Sequence, residues 1–168
     1  QLAERTNLGL IAEAYGAMGL TYIAMGDYKK AQHYVEKSLD FFRKASNRWG
    51  EATALNNLAL ILGQTKNYKQ AFDNLTKAEM IFREIGNIKG QIEYLAFKNL
   101  VLGKQLIEGK KRGEPIGDTK RILDDLQRAL ELSKNIEDKN SEAVILLMLG
   151  IYYFENEVQP EQFKSVFH

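Results

Sequence analysis

The sequence predicts an all-α chain, a solenoid of antiparallel helix pairs, on three observations. The first is a forty-residue repeat, in which Tyr28, Ala31, Ser38, Leu39 and Phe42 line up with Tyr68, Ala71, Ala78, Glu79 and Phe82. The second is apolar spacing of three and four residues almost throughout, as in Met18, Tyr22, Met25 and again in Val35, Leu39, Phe42. Such spacing gathers apolar side chains on one face of a helix. Third, proline occurs only at 115 and 160, while Gly, Asn and Asp cluster at regular breaks. A fixed period of this size marks stacked supersecondary units, each burying its apolar face against its neighbours.

The elements follow from the breaks. Gly26-Asp27, Ser46-Asn47, Lys66-Asn67, Gly86-Asn87, the stretch from Gly109 to Gly117, Asp138 to Asn140, and Asn156 to Pro160 carry residues that stop or cap helices. They predict helices near 8–25, 28–45, 48–65, 68–85, 88–108, 118–136 and 140–155, with a stub from 160. Short connections make successive helices antiparallel. The chain is then one repeat domain over 1–168, with units near 8–47, 48–87, 88–138 (insertion at 109–117) and an incomplete 139–168. Leu2, Thr6 and Asn7 align with Phe42, Ser46 and Asn47, so the chain is expected to open inside the end of a preceding helix. A longer parent array is expected, with self-association possible through its exposed ends, for example at Val166 and Phe167.

Composition narrows the function classes. Apolar residues make up 45% and charged residues 27%, as in ordinary soluble domains, and the formal net charge of +1 offers no basic face for nucleic acid or anionic lipid. The longest apolar stretch, Ala143 to Phe154, falls short of the roughly 20 residues of a membrane span. The absence of cysteine excludes disulfides, thiolate catalysis and Cys-ligated metals. It is compatible with a reducing compartment, and a cytoplasmic location is the expectation. His33 and His168 are the only imidazoles, and neither has the partners of a metal site or a triad. Asp124 and Asp125 are adjacent helical residues, about 100° apart, so they read as surface charges. Gly113 to Thr119 has neither a preceding strand nor a Gly-Lys-Ser/Thr ending, so it is not a phosphate loop. No enzyme, cofactor or metal is expected.

Tyr15, Met18, Gly19, Tyr22, Gly26-Asp27-Tyr28, Ala31, Val35 and Ser38 resemble a tetratricopeptide repeat. The second unit keeps Leu55, Leu58, Ala59, Leu62, Tyr68, Ala71, Leu75 and Ala78; a later one keeps Leu146, Leu149, Gly150 and Tyr153. The run from Glu51 to Ala59 is similar to the longer repeat of kinesin light chains, which adaptor proteins and bacterial peptide sensors also carry. The third unit departs: Lys98 and Asn99 occupy the Leu-Gly places, and Ala78 to Ala129 spans 51 residues rather than 40.

The resemblance implies a right-handed superhelix whose first helices line an inner curve that holds a peptide or helix of a partner. On that reading the partner-binding residues are Glu13, Leu20, Thr53, Asn56, Asn57, Leu60, Glu93, Phe97 and Leu100. Asn57 falls where family adaptors use an inner-face Asn, whose carboxamide both donates to and accepts from a peptide backbone. The clamp that chaperone co-factors use for a C-terminal carboxylate is not expected, because Gly16, Leu20, Glu93 and Phe97 stand at its basic and amide places. The implied function is a non-catalytic adaptor or scaffold module. The alternatives are a peptide-sensing domain of a bacterial regulator, and a structural spacer.

Overall fold

The computed structural model describes residues 2–114 and 119–155. Pro115 to Gly117 and the predicted stub from 160, with Val166, Phe167 and His168, lie outside the described residues. Among the described residues there are seven helices and no strand: α1 (Leu2–Ala24), α2 (Tyr28–Lys44), α3 (Arg48–Gln64), α4 (Tyr68–Glu84), α5 (Ile88–Lys111), α6 (Lys120–Asn135) and α7 (Lys139–Glu155).

Five of the six connections share one three-residue design. Each helix stops at a residue with positive φ: Gly26 (76°), Ser46 (56°), Lys66 (65°), Gly86 (65°) and Glu137 (56°). The next residue donates its N–H back into the helix just ended, Asp27 to Tyr22 at 3.0 Å, Asn47 to Phe42 at 2.9 Å, Asn87 to Phe82 at 2.9 Å and Asp138 to Ser133 at 3.0 Å. This is the Schellman closure. At four of these connections the same residue then opens the following helix with its side chain, whereas Asn67 makes no such bond. Asp27 accepts from the N–H of Lys30, Asn47 from Gly50, Asn87 from Gly90, and Asp138 from Ser141, at 2.7 to 3.1 Å.

Two boundaries differ from the sequence expectation. The break predicted at Thr6-Asn7 does not occur, and α1 runs unbroken from Leu2. Thr6 stands at the place of Ser46, and a β-branched residue resists the positive φ that the stop requires. At the other end of the array Gly109, Lys110 and Lys111, expected in a loop, continue α5. The helix ends only where Gly113 takes a φ of 74° and Glu114 closes back on Gly109 at 3.0 Å. No cap follows this stop: α6 starts after Thr119, which makes no side-chain cap bond.

Packing confirms the pairing. Gly19 of α1 lies against Ala31 and Val35 of α2, and the Ser38 hydroxyl donates to the Ala12 carbonyl at 2.7 Å. Residues early in α1 thus meet residues late in α2, so the two run antiparallel. By contrast Gly63 faces Val101, and Lys66 pairs with Glu108 at 2.8 Å, so α3 and α5 run parallel. A Cβ on Gly19 would sit 2.5 Å from Val35 Cγ2, and one on Gly50 or Gly90 would fall inside the ring of Phe42 or Phe82. The core runs unbroken along the stack, with Leu55, Ile61, Leu75, Phe82, Ile92 and Leu126 almost fully enclosed.

The third pair packs differently. Gly19 and Ala31 of the first pair, then Ala59 and Ala71 of the second, are succeeded by Asn99 and Ile122, both buried and both larger. Asn99 has no protein partner for either atom of its carboxamide. A buried amide in that state costs about 1–3 kcal/mol.

Two stability outcomes follow. Asn99→Leu, similar in volume and without the polar group, should raise the thermal midpoint; a fall of several degrees would show that Asn99 is satisfied in solution. Gly90→Ala should destabilise by about 1–3 kcal/mol through overpacking against Phe82. Gly103→Ala, whose Cβ meets nothing within 4 Å, should stabilise by up to about 1 kcal/mol through helix propensity. Chemical denaturation of the two variants, read against the parent, checks the contrast.

Candidate partner-binding surface

Helices α1, α3 and α5 stack directly on one another, whereas α2, α4 and α6 make their main contacts with these first helices. We call the side of the stacked first helices inner and the side of α2, α4 and α6 outer. Each first helix presents an inner stripe at spacings of four, three and four: Glu13, Ala17, Leu20, Ala24 on α1, then Thr53, Asn57, Leu60, Gln64 on α3, then Glu93, Phe97, Leu100, Lys104 on α5. One direct bond joins two stripes: the Lys104 ammonium donates to the Gln64 carboxamide oxygen.

Exposure divides the expected residues. Glu13, Leu20 and Leu100 are exposed, while Thr53, Asn57, Leu60, Glu93 and Phe97 are half-buried with one side open. The Thr53 hydroxyl is turned inward, donating to the Trp49 carbonyl at 3.1 Å. Asn57 makes no side-chain hydrogen bond among the described residues. Asn56 is the exception: it is only 1% exposed, enclosed in the core, and neither carboxamide atom finds a protein partner. One residue of helix is about 100° of rotation, enough to carry Asn56 from the open stripe into the packing face. At Asn56's place α1 has Gly16, whose Cβ would meet the Ser38 hydroxyl at 3.2 Å, which marks the same enclosed position.

The stripes of α1 and α5 each begin with an acid, Glu13 and Glu93, while that of α3 is mostly polar. Burial pushes the Glu93 carboxyl above the usual carboxylate range; Lys89 opposes this and Asp138 adds to it. Neither Glu13 nor Glu93 has an ion-pair partner among the described residues.

Sequence reasoning missed one charged feature. Asp125, expected as a surface charge, pairs with Lys98 at 2.6 Å, and both side chains are largely buried, at 15% and 17% exposure. The signal was present, since Lys98 stands in an apolar place of the repeat and needs an acid within reach. The adjacent Asp124 is exposed, as expected. His33 is exposed on α2, edge-on to Tyr34. Among the described residues no group of three or more His, Cys, Asp or Glu side chains could hold a metal ion, and no helix is long and apolar enough to cross a membrane.

The helix pairs of α1 to α4 repeat with the same positive-φ junctions. Residues 10–84, which span most of α1 to α4, match the family model described as tetratricopeptide repeat.

Proposed function

We propose that the chain is a non-catalytic interaction module that holds an extended peptide or a helix of a partner protein along the inner stripes. Tetratricopeptide repeats are in general protein-protein interaction modules. The observation that carries the reading here is Asn57: its carboxamide stands on the open stripe without a protein hydrogen bond, between the apolar Leu20 and Leu60 on one side and Phe97 and Leu100 on the other. A carboxamide so placed serves a peptide backbone whatever the peptide's side chains are. The flanking apolar residues supply anchors, each worth roughly 1.5–3 kcal/mol when fully covered. The same reading makes the site protein-directed, with no cofactor and no nucleic acid, in a cytoplasmic setting. Asn56 takes no part in it, being enclosed.

Selection of random twelve-residue peptides on the immobilised chain tests the proposal. The selected peptides should bind Asn57→Ala and Phe97→Ala at least tenfold more weakly, with the thermal midpoints of both variants close to the parent. Equal binding by both variants would sink it. A pH readout is independent of any ligand. Because the folded-state pKa of Glu93 is raised, ionising it costs stability, and that cost grows as pH rises from the unfolded value through the folded one. Glu93→Gln should therefore raise the thermal midpoint at pH 7 relative to the parent, and the gain should vanish near pH 4. A gain that persists unchanged at pH 4 would mean that ionisation is not its source.

A further inference from the structure

The outer side of the stack carries two equivalent crevices. The first lies between α2 and α4 over Leu58 and Leu62 of α3, with Gln32, Glu36, Asp73 and Lys77 on its walls, and holds about 180 Å³. The second lies one unit on, between α4 and α6 over Lys98 and Leu102 of α5, and holds about 550 Å³. The larger volume has a structural source: α5 is 24 residues long against 17 in α3, and Asn99 with Ile122 replaces a pair of alanines. A volume of this size lies within the roughly 300–1,000 Å³ of small-ligand sites.

The charges that line the larger crevice do not cancel. Lys98 is answered by Asp125 at 2.6 Å, and Glu79 by Arg83 at 2.8 Å. Tyr94 lines the same wall, its hydroxyl pKa pushed up chiefly by burial and then by the nearby Glu79 carboxylate. Arg121 stands at the mouth with no ion pair or hydrogen bond to any described residue, which leaves a net charge of +1. Beside it are the Gln105 carboxamide and an apolar floor of Phe72, Leu75 and Leu102. A planar guanidinium with free donors is suited to bidentate recognition of a carboxylate.

We propose that this outer crevice binds a small organic carboxylate with an apolar body, its carboxylate on Arg121 and its body over Phe72, Leu75 and Leu102. The site is separate from the inner stripes and does not depend on their function. The equivalent crevice between α2 and α4 has Gln70 where this one has Arg121, and a third of the space, so it takes no such ligand.

The test is amide-resolved nuclear magnetic resonance of the labelled chain, titrated with 4-phenylbutyrate and, separately, with its neutral amide. The acid should shift the amides of Phe72, Tyr94, Leu102 and Gln105 saturably, with a dissociation constant on the order of millimolar for so small a probe. The neutral amide, and the acid with Arg121→Gln, should bind at least tenfold more weakly, and Arg121→Lys should recover part of the loss. Arg121 is exposed, so its variants should keep the parent spectrum elsewhere. Absence of saturable shifts at the crevice, equal affinity for acid and amide, or undiminished binding by Arg121→Gln would each overturn the proposal. Shifts confined to Leu20, Asn57 and Phe97 would overturn it as well, placing the ligand on the inner side.

Discussion

Asn47 donates its backbone N–H back to Phe42 while its side chain accepts from Gly50, so one residue closes α2 and opens α3. The rest of the stack depends on this fused junction. It reverses the chain in three residues; its positive-φ stop recurs at Gly26, Ser46, Lys66 and Gly86, twenty residues apart, with the side-chain cap made by Asp27, Asn47 and Asn87 but not by Asn67. A reversal so short leaves each helix no choice of neighbour. It also fixes which face turns toward that neighbour, because Phe42 and Phe82 lie over Gly50 and Gly90, which lack the Cβ that would collide with them.

The third unit shows what happens when the constraint is relaxed. At Gly113 the helix stop is intact, with Glu114 closing on Gly109, but the following residue does not cap α6. Freed from the tight reversal, α5 extends to Lys111 and α6 packs on it through larger residues, Asn99 and Ile122. The buried pair Lys98 and Asp125 belongs to the same departure. Such a pair contributes more to specifying an arrangement than to net stability, because desolvation offsets most of the Coulombic attraction.

Much of this was legible in the sequence, for identifiable reasons. The junctions could be read because each needs a residue tolerant of positive φ followed by Asp or Asn, and both leave a local mark. The helical spacing of the stripe residues could be read because it is rigid over a few turns. The placement of Asn56 could not, since neighbouring helical residues differ by about 100° and only the approach of adjacent helices decides which is enclosed. The continuation of α1 through Thr6 was obscured by the repeat alignment itself, which matched Thr6 to Ser46 without weighing the β-branch. Asp125 was misjudged because its partner lies on another helix, 27 positions earlier in the chain.

The parallel stacking of α3 on α5, tied by Gln64 to Lys104 and by Lys66 to Glu108, gives the inner side a definite pitch. Packed helices stand about 8–10 Å apart, and an extended chain advances about 3.3 Å per residue. A strand laid across the three stripes therefore meets a new helix at about every third residue. On the proposed inner-face binding, the surface measures its ligand in triplets, and a sequence one residue out of phase presents its side chains to the gaps between helices.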